Sequence, residues 1–275
     1  MNPSLHNAGA SDRWQFLNSG FHPGQYNMWL DELLAKRLMI HEGLPTLRLY
    51  GWKPHAISLG YNQRGNDFDE ARCAAHGIDI VRRPTGGRAI LHAEELTYCV
   101  AMYSCGKNIA DSYSEISRAL LSGLHLLGAD VEYASAQTNF SQSYRDRTSI
   151  PCFASSTRYE IQYRGKKLVG SAQRRYSSHG GDEVVLQHGS VLLGPAHKRL
   201  PEFVQTENEE VRASLRQSLE AKTTELDSAL GRGVSFDEAA TALKKGFEQT
   251  WNIVFNEITA DDLQWIHETE PAYNN

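Results

Sequence analysis

The sequence contains no stretch approaching the roughly 18 consecutive apolar residues that a membrane helix requires, and nothing in it reads as a transmembrane span. Residues 1–13 carry no apolar run of the signal-peptide kind. From these absences a soluble, cytoplasmic protein without membrane association is expected. Cysteine is sparse: Cys73, Cys99, Cys105 and Cys152 are the four, and no two stand in CxxC spacing. A disulfide scaffold and a structural zinc site both drop out, and no metal is expected. The nucleotide cradles GxxxxGKS/T and GxGxxG are missing as well. Nor is there an excess of positive charge. A net charge of −5 argues against an extended nucleic-acid surface.

The charge is unevenly spread. Residues 201–275 hold 15 Asp/Glu against 6 Lys/Arg, whereas residues 1–200 hold 22 basic and 18 acidic side chains. The mildly positive part could steer an acidic partner, or it is simply solvated surface. With 40% hydrophobic residues and 22 Gly in 275, the chain has ordinary globular composition and can bury a sizeable core.

Periodicity gives a coarse α+β order. Leu30, Leu33, Leu34 and Leu38 mark a helix closed by Gly43. Leu47/Leu49 and Ile57/Leu59 alternate as strands, residues 67–76 form a short helix, and Asp79–Arg83 form a strand feeding Pro84-Thr85-Gly86-Gly87. Strands follow at Ala89–His92 and Leu96–Met102. A helix through Ile116, Leu120 and Leu124 is expected to start at a Ser112/Glu115 capping box. After a short strand at Val131/Tyr133, residues 135–150 read as a surface loop leading to Pro151-Cys152. Tyr159, Ile161 and Tyr163 alternate up to an Arg164-Gly165 turn, and Lys167, Val169, Ser171 and Gln173 share one face of the return strand. Gly180-Gly181 precedes another strand through Val191 and Leu193. Beyond Pro201 the pattern becomes helical, with Ser235 capping a helix that presents Ala239, Leu243 and Phe247, then an Ile253/Phe255 strand and a Thr259-capped terminal helix. The expected architecture is a mixed sheet up to about residue 195 with helical residues 201–275 packed on it.

Arg82-Arg83-Pro84-Thr85-Gly86-Gly87-Arg88 has a physical logic of its own. Paired glycines let backbone N–H groups approach a ligand, and flanking arginines supply charge for a phosphate or carboxylate. A glycine hairpin with solvated arginines is the commoner outcome for such a turn. Cys152, after a polar loop and a proline, suits a thiol at a site rim, although most lone cysteines are small buried hydrophobes. Lys167 is either a solvated hairpin lysine beside Lys166 or a partly desolvated amine able to act as a base or to promote a thiolate. His92 and His188, beside turns or strand ends, fit site or structural roles.

The combination is more specific than its parts. Arg82 through His92 resembles the signature of the lipoate–protein ligase and octanoyltransferase superfamily, which also contains the biotin ligases. Lys167-Leu168-Val169-Gly170-Ser171-Ala172-Gln173 resembles the segment that carries that superfamily's lysine. Pro151-Cys152-Phe153 and Gln187-His188-Gly189-Ser190-Val191 are similar to blocks of the cysteine-dependent octanoyltransferases that load the glycine cleavage H protein. The four blocks lie in the expected order over roughly residues 45–195.

The resemblance implies a biotin/lipoate ligase-like α+β catalytic domain over residues 1–200, with helical residues 201–275 on the same domain. It implies an acyltransferase of lipoate biosynthesis that needs no cofactor. Octanoyl-acyl carrier protein would load Cys152, and a lysine of a lipoyl domain such as the glycine cleavage H protein would take the acyl group. Lys167 would assist, and Arg83, Gly86, Gly87, Arg88, His92, Gly170, Ser171, Ala172, His188 and Gly189 would bind substrate. An ATP-dependent lipoate ligase would use the same lysine and glycine loop, but such ligases usually carry a third glycine where this chain has Arg88. A non-catalytic carrier-binding module is the alternative outside enzymology, against which both Cys152 and Lys167 stand. A biotin ligase fits less well, since no GRGRxGR-like loop is present.

Overall fold

In the computed structural model, residues 13–134, 160–177, 181–259 and 262 are described. The hairpin expected around Arg164-Gly165 forms between β8 (Ile161–Tyr163) and β9 (Lys166–Ser177). Both turn residues take positive φ, 49° and 75°, the backbone that a two-residue turn between twisted strands demands. β9 then pairs antiparallel with β10 (Glu183–Leu192), and β10 with β6 (Glu95–Tyr103). β2 (Thr46–Trp52) continues the sheet antiparallel to β6 and parallel to β1 (Trp14–His22). β11 (Phe255–Ile258) runs parallel along the far side of β1, and β7 (Glu132–Tyr133) lies outside β8. The sheet order is β11-β1-β2-β6-β10-β9-β8-β7.

The α+β expectation is met, but with two sheets instead of one. β4 (Ile78–Arg82), β3 (His55–Leu59) and β5 (Ile90–His92) make a separate three-stranded sheet, parallel on the β4 side and antiparallel on the β5 side. α2 (Glu70–Ala75) connects β3 to β4 and is capped by Asp69, which accepts from the Arg72 amide. Between the sheets runs α1 (Gly24–Met39), whose inner face buries Met28, Leu30, Leu34 and Leu38 with Leu17, Tyr50, Trp52, Ala56, Cys99 and Leu186. Asn27 and Asp31 lie on the same inner face, fully buried.

α3 (Ile109–Leu126) and α6 (Phe236–Trp251) cover the opposite face of the large sheet. Ile116, Leu120 and Leu124 meet Ala239, Leu243 and Phe247 over Leu47, Leu49, Tyr98 and Val100. Each fully buried Leu, Ile, Val or Phe among them contributes about 1.5–3 kcal/mol. α3 starts one turn before the expected capping box: Asn108 accepts from the Asp111 amide, while the Ser112 hydroxyl is inside the helix and donates to the Asn108 carbonyl. The reason is local, since Glu115 is engaged by Lys107 instead of reaching back to the Ser112 backbone. Ser235 does cap α6, accepting from the Glu238 amide.

A 3₁₀ segment (Pro195–Phe203) and α4 (Glu209–Lys222) pack under β5 through Leu200, Phe203, Leu215 and Leu219. α5 (Leu226–Leu230) leads on to α6. The strand expected at Ile253/Phe255 forms as β11, displaced to Phe255–Ile258, and by pairing with β1 it carries the main sheet past the expected limit near residue 195. The loop expected over 135–150, the block Pro151-Cys152-Phe153, residue Gly180 and the terminal helix beyond Thr259 lie outside the described residues. Among the described residues no helix is long and apolar enough to cross a membrane.

Candidate active site

The glycine turn between β4 and β5 is built by the two arginines that precede it. Arg83 donates from Nη1 to the Ser58 carbonyl and hydroxyl (2.9 Å each), and from Nη2 to the carbonyls of Gly86 (2.9 Å) and Arg88 (2.7 Å). Arg82 Nη1 reaches the carbonyls of Gly60 (2.8 Å), Tyr61 (3.1 Å) and Gln63 (2.7 Å). The charge expected to await an anion is therefore largely directed at backbone oxygens of the turn and its neighbour. Close approach explains a glycine at the end of β3. A Cβ on Gly60 would lie 1.9 Å from the Gly87 carbonyl oxygen.

Two buried polar networks flank the turn. In the first, Arg48 and Asp31, both fully buried, pair at 2.7 Å. Arg48 also donates to the Asn27 carbonyl and side chain. Asp31 Oδ2 accepts from the Tyr50 hydroxyl (2.7 Å) and faces His188 Nδ1 (2.9 Å). A carboxylate only accepts, so Nδ1–H donates, and His188 Nε2 meets the Thr85 hydroxyl at 2.7 Å. Burial alone would raise the Asp31 carboxyl, but Arg48, His188 and Tyr50 outweigh it and hold it below the ordinary aspartate range.

The second network centres on Glu95. Its Oε1 accepts from the hydroxyls of Thr97 (2.6 Å) and Ser190 (2.8 Å) and faces His92 Nδ1 (2.8 Å). His92 Nε2 meets Ser58 Oγ at 2.7 Å, and the Trp52 indole N–H donates to Thr97 (2.7 Å). The His92 and Trp52 rings stack with centroids 3.9 Å apart. Against the cost of burial, these partners hold Glu95 below the ordinary glutamate range, His92 having the greatest effect among them.

The networks wall a cavity that is partly open to solvent. It is lined by Met28, Tyr50, Trp52 and Ile90 on its apolar side and by Arg83, His92, Lys167, Gly170, Ser171, Ala172, His188 and Gly189, together with Ser58, Thr97 and Ser190. Lys167 is 4% exposed, and its Nζ pairs with Glu160 at 2.6 Å. The alternative of a solvated hairpin lysine thus falls away. Gly189 presents bare backbone for a steric reason, since a Cβ there would be 2.3 Å from the Gly170 carbonyl oxygen. Ser171 Oγ is held by the Tyr98 hydroxyl (2.6 Å). Beyond Val169, β9 has no strand partner on its β8 side among the described residues.

Eight of the residues singled out from sequence therefore meet around one space. Gly86, Gly87 and Arg88 shape the turn but are not among the cavity-lining residues, and Cys152 lies outside the described residues. Sequence reasoning did not single out Met28, Tyr50, Trp52, Ser58, Glu95, Thr97, Ser190 or the Asp31–Arg48 pair. The Trp52-Lys53-Pro54 break and the polar alternation of Glu95 and Thr97 were the available signals. No group of three or more His, Cys, Asp or Glu side chains among the described residues could hold a metal ion. The arrangement offers a buried cation, backbone polar groups and an apolar interior, which suits the carbonyl end and hydrocarbon tail of an acyl group.

Comparison with known proteins agrees with this geometry. The chain is 35% identical over 271 residues to octanoyltransferase LipM of Geobacillus kaustophilus, covering 96% of each chain. It is 40% identical over 245 residues to octanoyltransferase LipM of Symbiobacterium thermophilum, covering 85% of each. Its fold is similar to that of a lipoate-protein ligase A bound with ATP, with a TM-score of 0.70 at 20% identity and coverage of 95% and 97%. It is likewise similar to a Thermoplasma acidophilum bipartite lipoate protein ligase, with a TM-score of 0.69 at 20% identity and coverage of 94% and 92%. The model of the lipoyl protein ligase A/B catalytic domain matches residues 23–248, which includes every wall of the cavity, so the chain belongs to the lipoyl protein ligase A/B catalytic domain family.

Proposed function

We propose that the protein is an octanoyltransferase of lipoate biosynthesis that passes the acyl group through a Cys152 thioester. The observation that carries this is the cavity itself, with the buried Lys167–Glu160 pair among apolar walls. That it sits in a chain 32–40% identical to octanoyltransferases supports the octanoyl specificity.

The Cys152 thiolate attacks the carbonyl carbon of octanoyl-acyl carrier protein. A C–S bond forms to Cys152, the carrier C–S bond breaks, and the departing thiolate takes up a proton. The acceptor lysine amine then attacks the Cys152 thioester, forming an amide and returning the thiol, with the amine proton passing to the sulfur. Thioester exchange is nearly isoenergetic and amide formation is downhill, so ATP is not required. Lys167 balances negative charge developing at the carbonyl oxygen or sulfur, and Glu160 fixes its ammonium group. Backbone of Gly170 and Ser171 lines the same space, where β9 has no strand partner on its β8 side among the described residues. The Ser171 carbonyl accepts from the Tyr113 hydroxyl (3.2 Å), which leaves backbone N–H groups for the acyl carbonyl. The covalent role falls to Cys152 because the other cysteines are poorly suited. Cys73 and Cys99 are buried, which pushes the former thiol up to about 11 and the latter well above its ordinary value. Neither they nor Cys105 line the cavity.

Burial of the acyl tail at about 0.8 kcal/mol per methylene favours octanoyl over hexanoyl by about 1.6 kcal/mol, roughly fifteen-fold. The acceptor is a lipoyl domain such as the glycine cleavage H protein, and both partners meet the enzyme in the cytoplasm. The deciding experiment incubates the protein with octanoyl-acyl carrier protein and apo-lipoyl domain, with and without ATP, and reads acceptor mass. Octanoylation independent of ATP is expected. Efficient acylation from free octanoate plus ATP, with octanoyl-carrier protein inert, would overturn the reading.

A further inference from the structure

Strand order gives the cavity a direction. Lys167 and Gly170–Ala172 lie on β9, Ser190 on β10, Thr97 on β6, and Tyr50 with Trp52 on β2. The space therefore runs across the strands, and β9 and β2 are three strand spacings, about 14 Å, apart. With C–C bonds of about 1.5 Å, an extended octanoyl chain is about 9 Å long. Placed with its carbonyl beside Lys167, and allowing for the side chains at each end, it finishes near Tyr50 and Trp52.

The groups at that end differ in how firmly they are held. Trp52 is fixed by its N–H bond to Thr97 and by its stack on His92. Tyr50 is fixed by Asp31 and lies under the Arg48 guanidinium, 3.9 Å from the ring centroid. Met28 completes the end from α1, packed in the same apolar cluster as Tyr50, Trp52 and Ala56. It also lines a second space, an external groove between α1 and the β4 turn, whose walls are apolar at Trp29, Ile80, Val81 and Pro84 and polar at Gln25, Glu32, Arg82 and Arg174. Met28 and Arg83 are the two side chains common to cavity and groove among the described residues. Arg83 is tied into the turn by the bonds described above, whereas Met28 is an unbranched thioether that changes shape readily.

We propose that Met28 is the partition that ends the acyl cavity and sets the longest chain the enzyme accepts. This rests on the cavity being the acyl site. With Met28 shortened, cavity and groove become continuous, and a longer chain runs out along Trp29 and Val81. With a larger side chain, the end moves toward Lys167.

The test compares wild type, Met28→Ala, Met28→Phe and Met28→Leu, using carrier protein loaded with saturated acyl groups of 6, 8, 10, 12 and 14 carbons. In Met28→Ala the ratio of kcat/KM for the 12-carbon over the 8-carbon donor rises at least tenfold. In Met28→Phe the 6-carbon over 8-carbon ratio rises at least tenfold, and Met28→Leu keeps the wild-type profile. Opposite shifts in the two variants cannot come from loss of folded protein, since a ratio is insensitive to active fraction. Unchanged ratios in folded Met28→Ala and Met28→Phe overturn the partition. Binding of free dodecanoate and octanoate, measured by calorimetry, reads the same ratio without turnover. Wild type that transfers no acyl chain while Met28→Ala gains dodecanoate affinity overturns the proposed reaction but keeps the partition.

Discussion

His188 Nδ1 lies 2.9 Å from Asp31 Oδ2, joining side chains 157 positions apart in the chain. Through that contact α1 is bonded to β10, and through Thr85 on the other ring nitrogen β10 is bonded to the glycine turn. The walls of the cavity are therefore held by buried charge as well as by apolar packing.

Removing that charge is costly. Asp31→Asn leaves the fully buried Arg48 guanidinium without its counter-charge, and a loss of about 3–5 kcal/mol in urea unfolding is expected. Asp31→Asn combined with Arg48→Met should lose clearly less than the two single losses added together. Strict additivity would show that the pair is not coupled.

Acid acts through the same groups. Asp31 and Glu95 have lowered folded-state values, so the stability they supply is present above their ordinary values of 3.8 and 4.5 and is lost as pH falls further. His197, lowered by burial, is charged more readily in the unfolded chain, so its contribution is present above 6.5 and declines as pH drops below that value. Unfolding free energy should thus fall in two stages on acidification, the first removed by His197→Gln. A single stage below 4.5 in wild type would eliminate the histidine contribution.

Two glycines near the turn should respond in opposite ways. Gly60→Ala drives a Cβ into the Gly87 carbonyl and should cost about 1–3 kcal/mol, or more if the turn cannot move, with loss of acyl transfer. A Cβ at Gly86 meets nothing within 4 Å, so Gly86→Ala should fold with wild-type stability. Equal melting temperatures for the two variants would contradict the close approach.

For Lys167, activity and stability can be separated. Lys167→Ala strips the buried Glu160 carboxylate of its ammonium partner, and both transfer and stability should fall, the former by at least about a hundredfold. Lys167→Met with Glu160→Gln removes both charges and should regain much of the stability while acyl transfer stays lost. Recovery of transfer in the double variant would show that Lys167 is structural.

The thioester step leaves a chemical record. Octanoyl-carrier protein alone should label Cys152 with a hydroxylamine-sensitive octanoyl group, absent in Cys152→Ser and kept when Cys73 and Cys105 are replaced. Cys99, fully buried in β6 beside Asp31, affects packing. An adduct on another cysteine, or full activity of Cys152→Ser, would remove the covalent mechanism.

Short-range signals were the readable ones. The 161–177 hairpin declares itself through alternation and Arg164-Gly165, and the Ser235 cap through its spacing to Glu238. β1 leaves no clear sequence signal, because Trp14–His22 lacks regular alternation and one of its two partners, β11, lies far along the chain. Arg48, between Leu47 and Leu49, looks like an ordinary outward-facing strand residue, yet it bonds Asn27 and Asp31 of α1 and Ser19 of β1 and is fully buried. The glycine block was legible as a turn, but the carbonyl targets of Arg82 and Arg83 depend on where β3 lies. Met28 gives no sign at all, since a methionine on a helix looks like any core residue.

The outer edge of β1 is completed by a strand more than 230 residues later, with Phe255 packing on Phe16 and Trp251 on Trp14. During synthesis the edge of β1 must wait until the ribosome has released nearly the whole of this sequence. An open strand edge is a template for pairing with other chains. Throughout the interval between translation of β1 and of β11, that edge has no strand of its own chain to pair with.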